Sequence, residues 1–399
     1  MVGAHGASRC VGVAPSAVRG VAPIRRRRAT PAAAALYSPA HSFAGARVVA
    51  SRHLRFALVA TLAATSIGVA SAQPRTPPRE ISQVTGDLYR ARNGNWYTVF
   101  LVTPDGIILG DPINETFAPW LKAELDTRFP GKPVRYVIYS HSHFDHAAGG
   151  AAFAETATFV AHENMLRNMD GRYPQMPGDM IDRNDNGVID REEIDIPTNT
   201  RPGVCGMGPG FFDGIDRNGD GVATPQELQL HIVKPAIVYN DRMRIELGGK
   251  AVELVHPGLN HSNDATVMVF PAERAAFATE FIADALVANN PRSLPSACGP
   301  FDGSPLAEWI KSYRTVEALD FDLMITGHGS MLVDKALIRE TRELFQHLRD
   351  EVAAGMAAGR TLEQLKESVR LEPYKDWANY ERLRAYNVEA AYRNLLIYR

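Results

Sequence analysis

The chain has 399 residues, 45% hydrophobic and 22% charged, a composition that suits a globular protein with room for one large domain plus insertions. Its net charge of −2 hides an asymmetry: nine of the 43 basic residues and none of the 45 acidic ones lie in residues 1–72. The remainder carries 34 basic against 45 acidic groups, a net charge of −11, which excludes nucleic acid as the expected partner because neutralising phosphates requires basic surface.

The N-terminal region reads as a targeting segment. Arg52, His53 and Arg55 precede an apolar run from Phe56 to Val69, and Ala70-Ser71-Ala72 forms a small-x-small cleavage site before Gln73. The run is too short to span a membrane. Residues 1–72 are therefore expected to be an N-terminal extension and cleaved signal, leaving a periplasmic or secreted protein without a membrane anchor. The Ala-, Arg- and Gly-rich stretch before it, with Arg25 to Arg28 in a row, reads either as an upstream start placed too early, the preferred reading, or as an organelle transit segment. Cleavage would remove Cys10 and leave Cys205 and Cys298, which an oxidising compartment would allow to pair.

From Glu80 the pattern is strand and turn: Asp87 to Ala91, Trp96 to Thr103 and Gly106 to Leu109, separated by the turn signals Asn93-Gly94 and Pro104-Asp105-Gly106. Asp111 follows the last run. Helical spacing then covers Phe117 to Phe129 and stops at Pro130-Gly131. Val134 to Ser140 reads as a buried strand, Ala147 to Glu155 as a helix, and Thr158 to Ala161 as another strand. Strands alternating with helices after an antiparallel meander indicate a layered α/β domain.

The stretch His141-Ser142-His143-Phe144-Asp145-His146 concentrates three imidazoles and a carboxylate at a strand end. Residues two apart in extended backbone share a side, so His141 and His143 can grip one metal ion, while Asp145 and His146 on the following turn can face a second. Zinc accepts N and O donors of this kind.

Asp111 after a meander, followed by H-x-H-x-D-H at a strand end, resembles the metallo-β-lactamase superfamily, in which two mixed sheets pack face to face between outer helices. The resemblance implies an αββα sandwich over residues 80–333 with the metals in a groove at one sheet edge. It extends to His261, after the strand Val252 to Val255, at the position of the first site's third histidine, with a strand from Asp264 to Pro271 beyond it. His328, in Met324-Ile325-Thr326-Gly327-His328-Gly329, matches the family's last metal histidine. The first zinc would thus fall to His141, His143 and His261, and the second to Asp145, His146 and His328. Glu280 stands near the place of a bridging aspartate and is the tentative extra ligand. His162 is expected to be structural, and His256 is a candidate for supporting the ligands.

Residues 164–233 interrupt this pattern. Asp182, Asn184, Asn186, Gly187, Val188, Asp190 and Glu193 fit the EF-hand calcium loop, with oxygen donors at positions 1, 3, 5, 7, 9 and 12 and Gly at 6. Asp216, Asn218, Asp220, Gly221, Val222, Thr224 and Glu227 repeat it 34 residues later. The expectation is an inserted EF-hand pair binding two Ca2+, with short flanking helices because prolines crowd the segment.

After a long loop from Asn290 to Gly303, a helix is expected over Leu306 to Leu319. Residues 334–399 read as a C-terminal helical segment, and an aromatic series from Tyr374 to Tyr398 suggests core packing, a cover for the groove or a homodimer contact. The preferred reading is a zinc-dependent hydrolase in which a metal-activated water attacks a carbonyl or ester of a small molecule, β-lactamase-like or related, with Asp145 and His146 as catalytic residues. The competing reading is a calcium-binding scaffold or binding protein with a residual zinc site. The complete ligand set opposes it.

Overall fold

The structure is a computed structural model that describes residues 78–169, 184, 186–194, 212–224, 226–227, 232–279, 292–295, 304–329 and 332–398. The expected signal segment, Asp182, Cys205, Glu280 and Cys298 lie outside these residues. Two mixed sheets dominate. The first runs in the order β1 (Arg79–Thr85), β2 (Leu88–Asn93), β3 (Trp96–Thr103), β4 (Gly106–Leu109), β5 (Val134–Ile138), β6 (Thr158–His162) and β9 (Ile237–Tyr239). Its first four strands form an antiparallel meander, and β4, β5, β6 and β9 are parallel. The second sheet takes the order β10 (Arg242–Leu247), β11 (Lys250–Val255), β12 (Val267–Phe270), β13 (Ala275–Ala278), β14 (Leu323–Thr326) and β15 (Leu332–Asp334).

Alternation along the strands divides the apolar residues between layers. Leu88, Val99, Leu101, Ile108 and Ile138 of the first sheet share one buried cluster with Val252, Leu254, Met268 and Phe277 of the second. The opposite face of the first sheet, through Phe100, Leu109 and Val137, packs on Leu121 and Leu125 of the helix Ala118–Arg128. The outer face of the second sheet meets Trp309 and Tyr313 of the helix Leu306–Glu317 and Phe345 and Leu348 of the helix Lys335–Ala357. Each such buried side chain contributes about 1.5–3 kcal/mol of transfer free energy. Helix, sheet, sheet and helix thus form four layers, as the α/β reading requires. Two further helices, Leu362–Ser368 and Tyr380–Ile397, complete the C-terminal part. Tyr374 there is buried, and Trp377, Tyr380, Tyr386 and Tyr392 pack against the same outer core.

One element differs from expectation. In place of a helix from Ala147 to Glu155, a single turn spans Phe144–Ala147 and a 3-10 turn spans Gly150–Phe153. Gly149 and Gly150 explain the break. A Cβ on Gly149 would lie 2.3 Å from the Pro112 carbonyl oxygen, and one on Gly150 would lie 2.6 Å from the Tyr139 hydroxyl. The continuous α-helical hydrogen-bond ladder ends there, where the chain presses against the segment that follows Asp111.

Within the insertion, β7 (Ile189–Asp190) pairs antiparallel with β8 (Val222–Ala223), Ile189 facing Ala223. The single turns Arg191–Ile194 and Phe212–Ile215 flank them. Ile189, Ile194, Phe212, Ile215 and Ala223 make a small core of their own. Phe144, from the loop between β5 and β6, packs against that core as well as the main one. Arg217 adds an ion pair to Glu115 at 2.5 Å.

Candidate metal centre

The ends of β4 and β5 supply the base of the site. Extended backbone terminates at Ile138, and His141 and His143 follow on the loop. Asp145 and His146 sit in the single turn Phe144–Ala147, which Ala147 N and Ala148 N close on the His143 and Phe144 carbonyls. The loop after β11 brings in His261, and the turn after β14 brings in His328. Two donor groups result: His141, His143 and His261, and Asp145, His146 and His328, the ligand atoms of each group lying within 4.8 Å of one another. All six residues expected to hold metal from within the described chain are therefore brought together.

The ring orientations fit metal ions. His261 Nε2 stands 3.0 Å from His143 Nδ1, and His146 Nε2 stands 2.9 Å from His328 Nε2. Tetrahedral zinc with Zn–N near 2.0–2.1 Å sets ligand nitrogens about 3.3 Å apart, so slight spreading of each pair admits an ion. Asp145 Oδ2 lies 3.6 Å from His146 Nε2 and 3.7 Å from His328 Nε2. An all-N trio beside an N,N,O trio suits zinc better than a hard cation such as Ca2+, which takes oxygen.

Behind the donors stands Asp111, wholly buried. Its carboxylate accepts from Ser140 N at 2.7 Å and Ser140 Oγ at 2.6 Å, and its Oδ2 lies 3.1 Å from His146 Nδ1. A carboxylate can only accept, so His146 donates from Nδ1 and turns a lone pair at Nε2 toward the trio. Because the Ser140 hydroxyl proton goes to Asp111, Ser140 Oγ accepts from His141 Nδ1 at 2.9 Å, and His141 likewise presents Nε2. One buried acid thus sets the tautomer of a ligand in each trio. Thr279 Oγ1 joins this group, 3.3 Å from Ser140 Oγ. Gly327 passes close to it: a Cβ there would come within 2.4 Å of Thr279 Cγ2.

A second polar group braces the His261 loop. Asn168 Nδ2 donates to Ser142 Oγ at 3.1 Å and to Asn263 Oδ1 at 2.8 Å, and Ser262 Oγ donates to Asp264. Burial pushes the Asp264 carboxyl above the usual range, against opposing hydrogen bonds from Ser262, Ser142 and Asn168. His256 stacks on His162, ring centroids 4.0 Å apart, and donates from Nδ1 to the Ala265 carbonyl at 2.8 Å. It therefore supports the backbone of this loop. His162 Nδ1 accepts from Asn164 N at 3.2 Å, a structural bond.

Trp96, Ser140, Asp264 and Thr279 are the site residues that sequence reading missed. Trp96 Nε1 donates to Asp145 Oδ2 at 3.1 Å across 49 positions of sequence, a contact that no local spacing signals. Ser140 alone had a readable cue, since a hydroxyl directly before the motif stands one strand from Asp111.

The metallo-beta-lactamase superfamily model matches residues 91–328. Among curated proteins, the chain is 23% identical over 259 residues to 2,4-dinitroanisole O-demethylase subunit alpha of Nocardioides sp. (strain JS1661), covering 63% of this chain and 58% of that one. It is 22% identical over 278 residues to a linear primary-alkylsulfatase of Pseudomonas sp. (strain ATCC 19151), covering 68% and 49% respectively. The solved stereoselective inverting sec-alkylsulfatase from Pseudomonas sp. superposes with a TM-score of 0.51 at 14% identity, over 80% of this chain and 50% of that one. The chain spans about half to three-fifths of the length of the curated relatives it matches.

Proposed function

This chain belongs to the metallo-beta-lactamase superfamily, and from that premise we propose that it is a dinuclear zinc hydrolase of small alkyl esters, with sulfate esters the first class to test. The observation that carries the proposal is the convergence of two complete donor trios, with a buried carboxylate fixing a ligand of each. A residual site would be expected to have lost a donor, which weighs against a metal-free scaffold. Of the two curated relatives, one is named for an alkyl sulfate ester and the other for an aryl methyl ether, and the alkylsulfatase supports testing a sulfate ester before a lactam.

Zinc held by these residues would acidify a bound water and draw charge from the bond to be cut. The protein's own contributions follow from the geometry. Asp111 and Ser140 keep His141 and His146 in the ligating tautomer throughout the cycle. Asp145, 21% exposed at the side chain, is a partly exposed donor whose carboxylate would accept a hydrogen bond from such a water. His328, 17% exposed, is the other partly exposed donor of that trio. The test is initial-rate release of sulfate and alcohol from an alkyl sulfate, beside a chromogenic cephalosporin, by protein starting at Gln73. Sulfate release lost on chelation and in His141→Ala supports the reading. Two bound zinc ions with turnover of the cephalosporin alone would overturn the substrate class.

For the insertion, the proposal is an EF-hand pair that binds calcium. Supporting it, Ile189 and Ala223, the eighth residues of the two loops, are the pair joined across β7 and β8. Gly187 and Gly221 at the sixth positions take φ of 87° and 93°. Glu193 and Glu227 at the twelfth positions fold back onto loop N–H groups of Asn184, Asp190, Asn218 and Thr224. Calorimetric titration with Ca2+ of wild type and Glu193→Gln/Glu227→Gln decides it. Export, proposed from the residues before Gln73, is checked by N-terminal sequencing of the mature protein.

A further inference from the structure

We propose that Trp96 is a positioning residue for Asp145, holding its carboxylate in the orientation from which it addresses a metal ion in the second trio; the inference rests on the dinuclear reading above. Trp96 opens β3, an element that contributes no donor to either trio. Its backbone is fixed against the turn that carries His328: Trp96 and His328 form an antiparallel bridge, Tyr97 N donates to the Gly327 carbonyl at 2.8 Å, and Gly329 N donates to the Asn95 carbonyl at 2.9 Å. From this anchorage the indole reaches two of the three donors. Nε1–H meets Asp145 Oδ2 at 3.1 Å, and the ring meets His328 edge-on with centroids 5.8 Å apart and 68° between planes.

The indole bond acts on a partly exposed donor. Asp145 sits in a helix of four residues, and its side chain is 21% exposed where that of His146 is 1% exposed, so it is the less buried of the two donors on that turn. An indole N–H is a donor only. It cannot compete for the metal, and it holds Oδ2 close to the imidazole nitrogens of His146 and His328. Groups that hydrogen-bond a ligating side chain typically govern about 10–100-fold of metal affinity. The first trio, whose His141 is set by Ser140, does not depend on this bond.

The experiment compares wild type with Trp96→Phe, which keeps an aromatic ring and loses the N–H, by metal content after dialysis, chelator competition and Co2+ absorption spectra. The expected result is two tight zinc ions in wild type, an unchanged first site in Trp96→Phe, and a second site weakened tenfold or more with an altered Co2+ band. A complementary readout leaves Trp96 in place. The indole 1H–15N signal of Trp96, assigned among the four tryptophans, should shift in Asp145→Asn. Two zinc ions bound by Trp96→Phe within twofold of wild-type affinity, or an unmoved indole signal, would overturn the positioning role. Fewer than two zinc ions in wild type would instead overturn the dinuclear reading.

Discussion

Replacing Asp111 with Asn changes little in shape yet should weaken both halves of the metal centre. The Asn carbonyl oxygen can still accept from Ser140 N, now 2.7 Å from Asp111 Oδ1. Its amide nitrogen then takes the place of Oδ2, which lies 2.6 Å from Ser140 Oγ and 3.1 Å from His146 Nδ1. That nitrogen donates where a carboxylate accepted, so His146 must either lose its Nδ1 partner or move its proton to Nε2. The second choice satisfies the hydrogen bond and destroys the ligand, because a protonated nitrogen has no lone pair for a metal. Loss of a partner behind a ligating histidine costs about 10–100-fold in affinity, or about 1.4–2.7 kcal/mol. The opposite choice of amide rotamer leaves Ser140 N–H facing the NH2 group in a fully buried place, which adds about 1–3 kcal/mol of destabilisation. An amide nitrogen in place of Oδ2 can no longer accept the Ser140 hydroxyl proton, so Ser140 turns it toward His141 Nδ1 and the first trio is disturbed through the relay. Chelator competition monitored by elemental analysis should therefore show both zinc ions weakened, the second at least tenfold, with turnover falling in proportion. Two zinc ions held by Asp111→Asn at wild-type affinity would refute the tautomer assignment.

Three further outcomes follow from the packing. Gly149→Ala should destabilise by about 1–3 kcal/mol in urea unfolding, because the new Cβ would stand 2.3 Å from the Pro112 carbonyl oxygen and 2.8 Å from that of Asn114; an unchanged midpoint would show that the two segments part freely. Burial, then the neighbouring His256, lowers the His162 pKa to about 4, against the pulls of Glu163 and Asp241. Since the folded pKa is depressed, this ring's stabilisation is complete above about pH 6.5 and is lost as pH falls toward 4, about 2 kcal/mol once its partial solvation is allowed for. His162→Gln should flatten the pH dependence of the urea midpoint between those values, and a parallel profile would reject the assignment. Asn394, buried in the helix Tyr380–Ile397, accepts from Leu306 N at 3.0 Å and donates to the Ser304 carbonyl at 3.0 Å. Asn394→Ala should cost about 2–4 kcal/mol by orphaning both groups, measured by thermal or urea unfolding; a loss below 1 kcal/mol would mean water replaces the side chain.

The parts of the site that were legible in sequence are those whose spacing reflects local geometry. His141, His143, Asp145 and His146 are brought together by a strand end and one turn, so their pattern survives in one dimension. His261 and His328 carried no such spacing and were found through resemblance to a family. The broken helix after Ala147 was missed because Gly149 is shaped by Pro112 and Asn114, on a segment that helical periodicity cannot see. The indole of Trp96 and the carboxyl of Asp264 act through partners distant in sequence or through burial, neither of which composition records. Sheet order was likewise readable only in part. The meander followed from its turn signals, whereas the parallel placement of β9 beside β6 spans the insertion.

Phe144 stands between two donors, His143 and Asp145, that belong to different trios, and its ring is shared by the main core and the small core of the insertion. A residue with that double allegiance is a contact through which the two regions can be coupled. If the loops and the trios bind the ions proposed above, linkage requires that any effect of the loop ion on zinc affinity be matched by an equal effect of zinc on the loops.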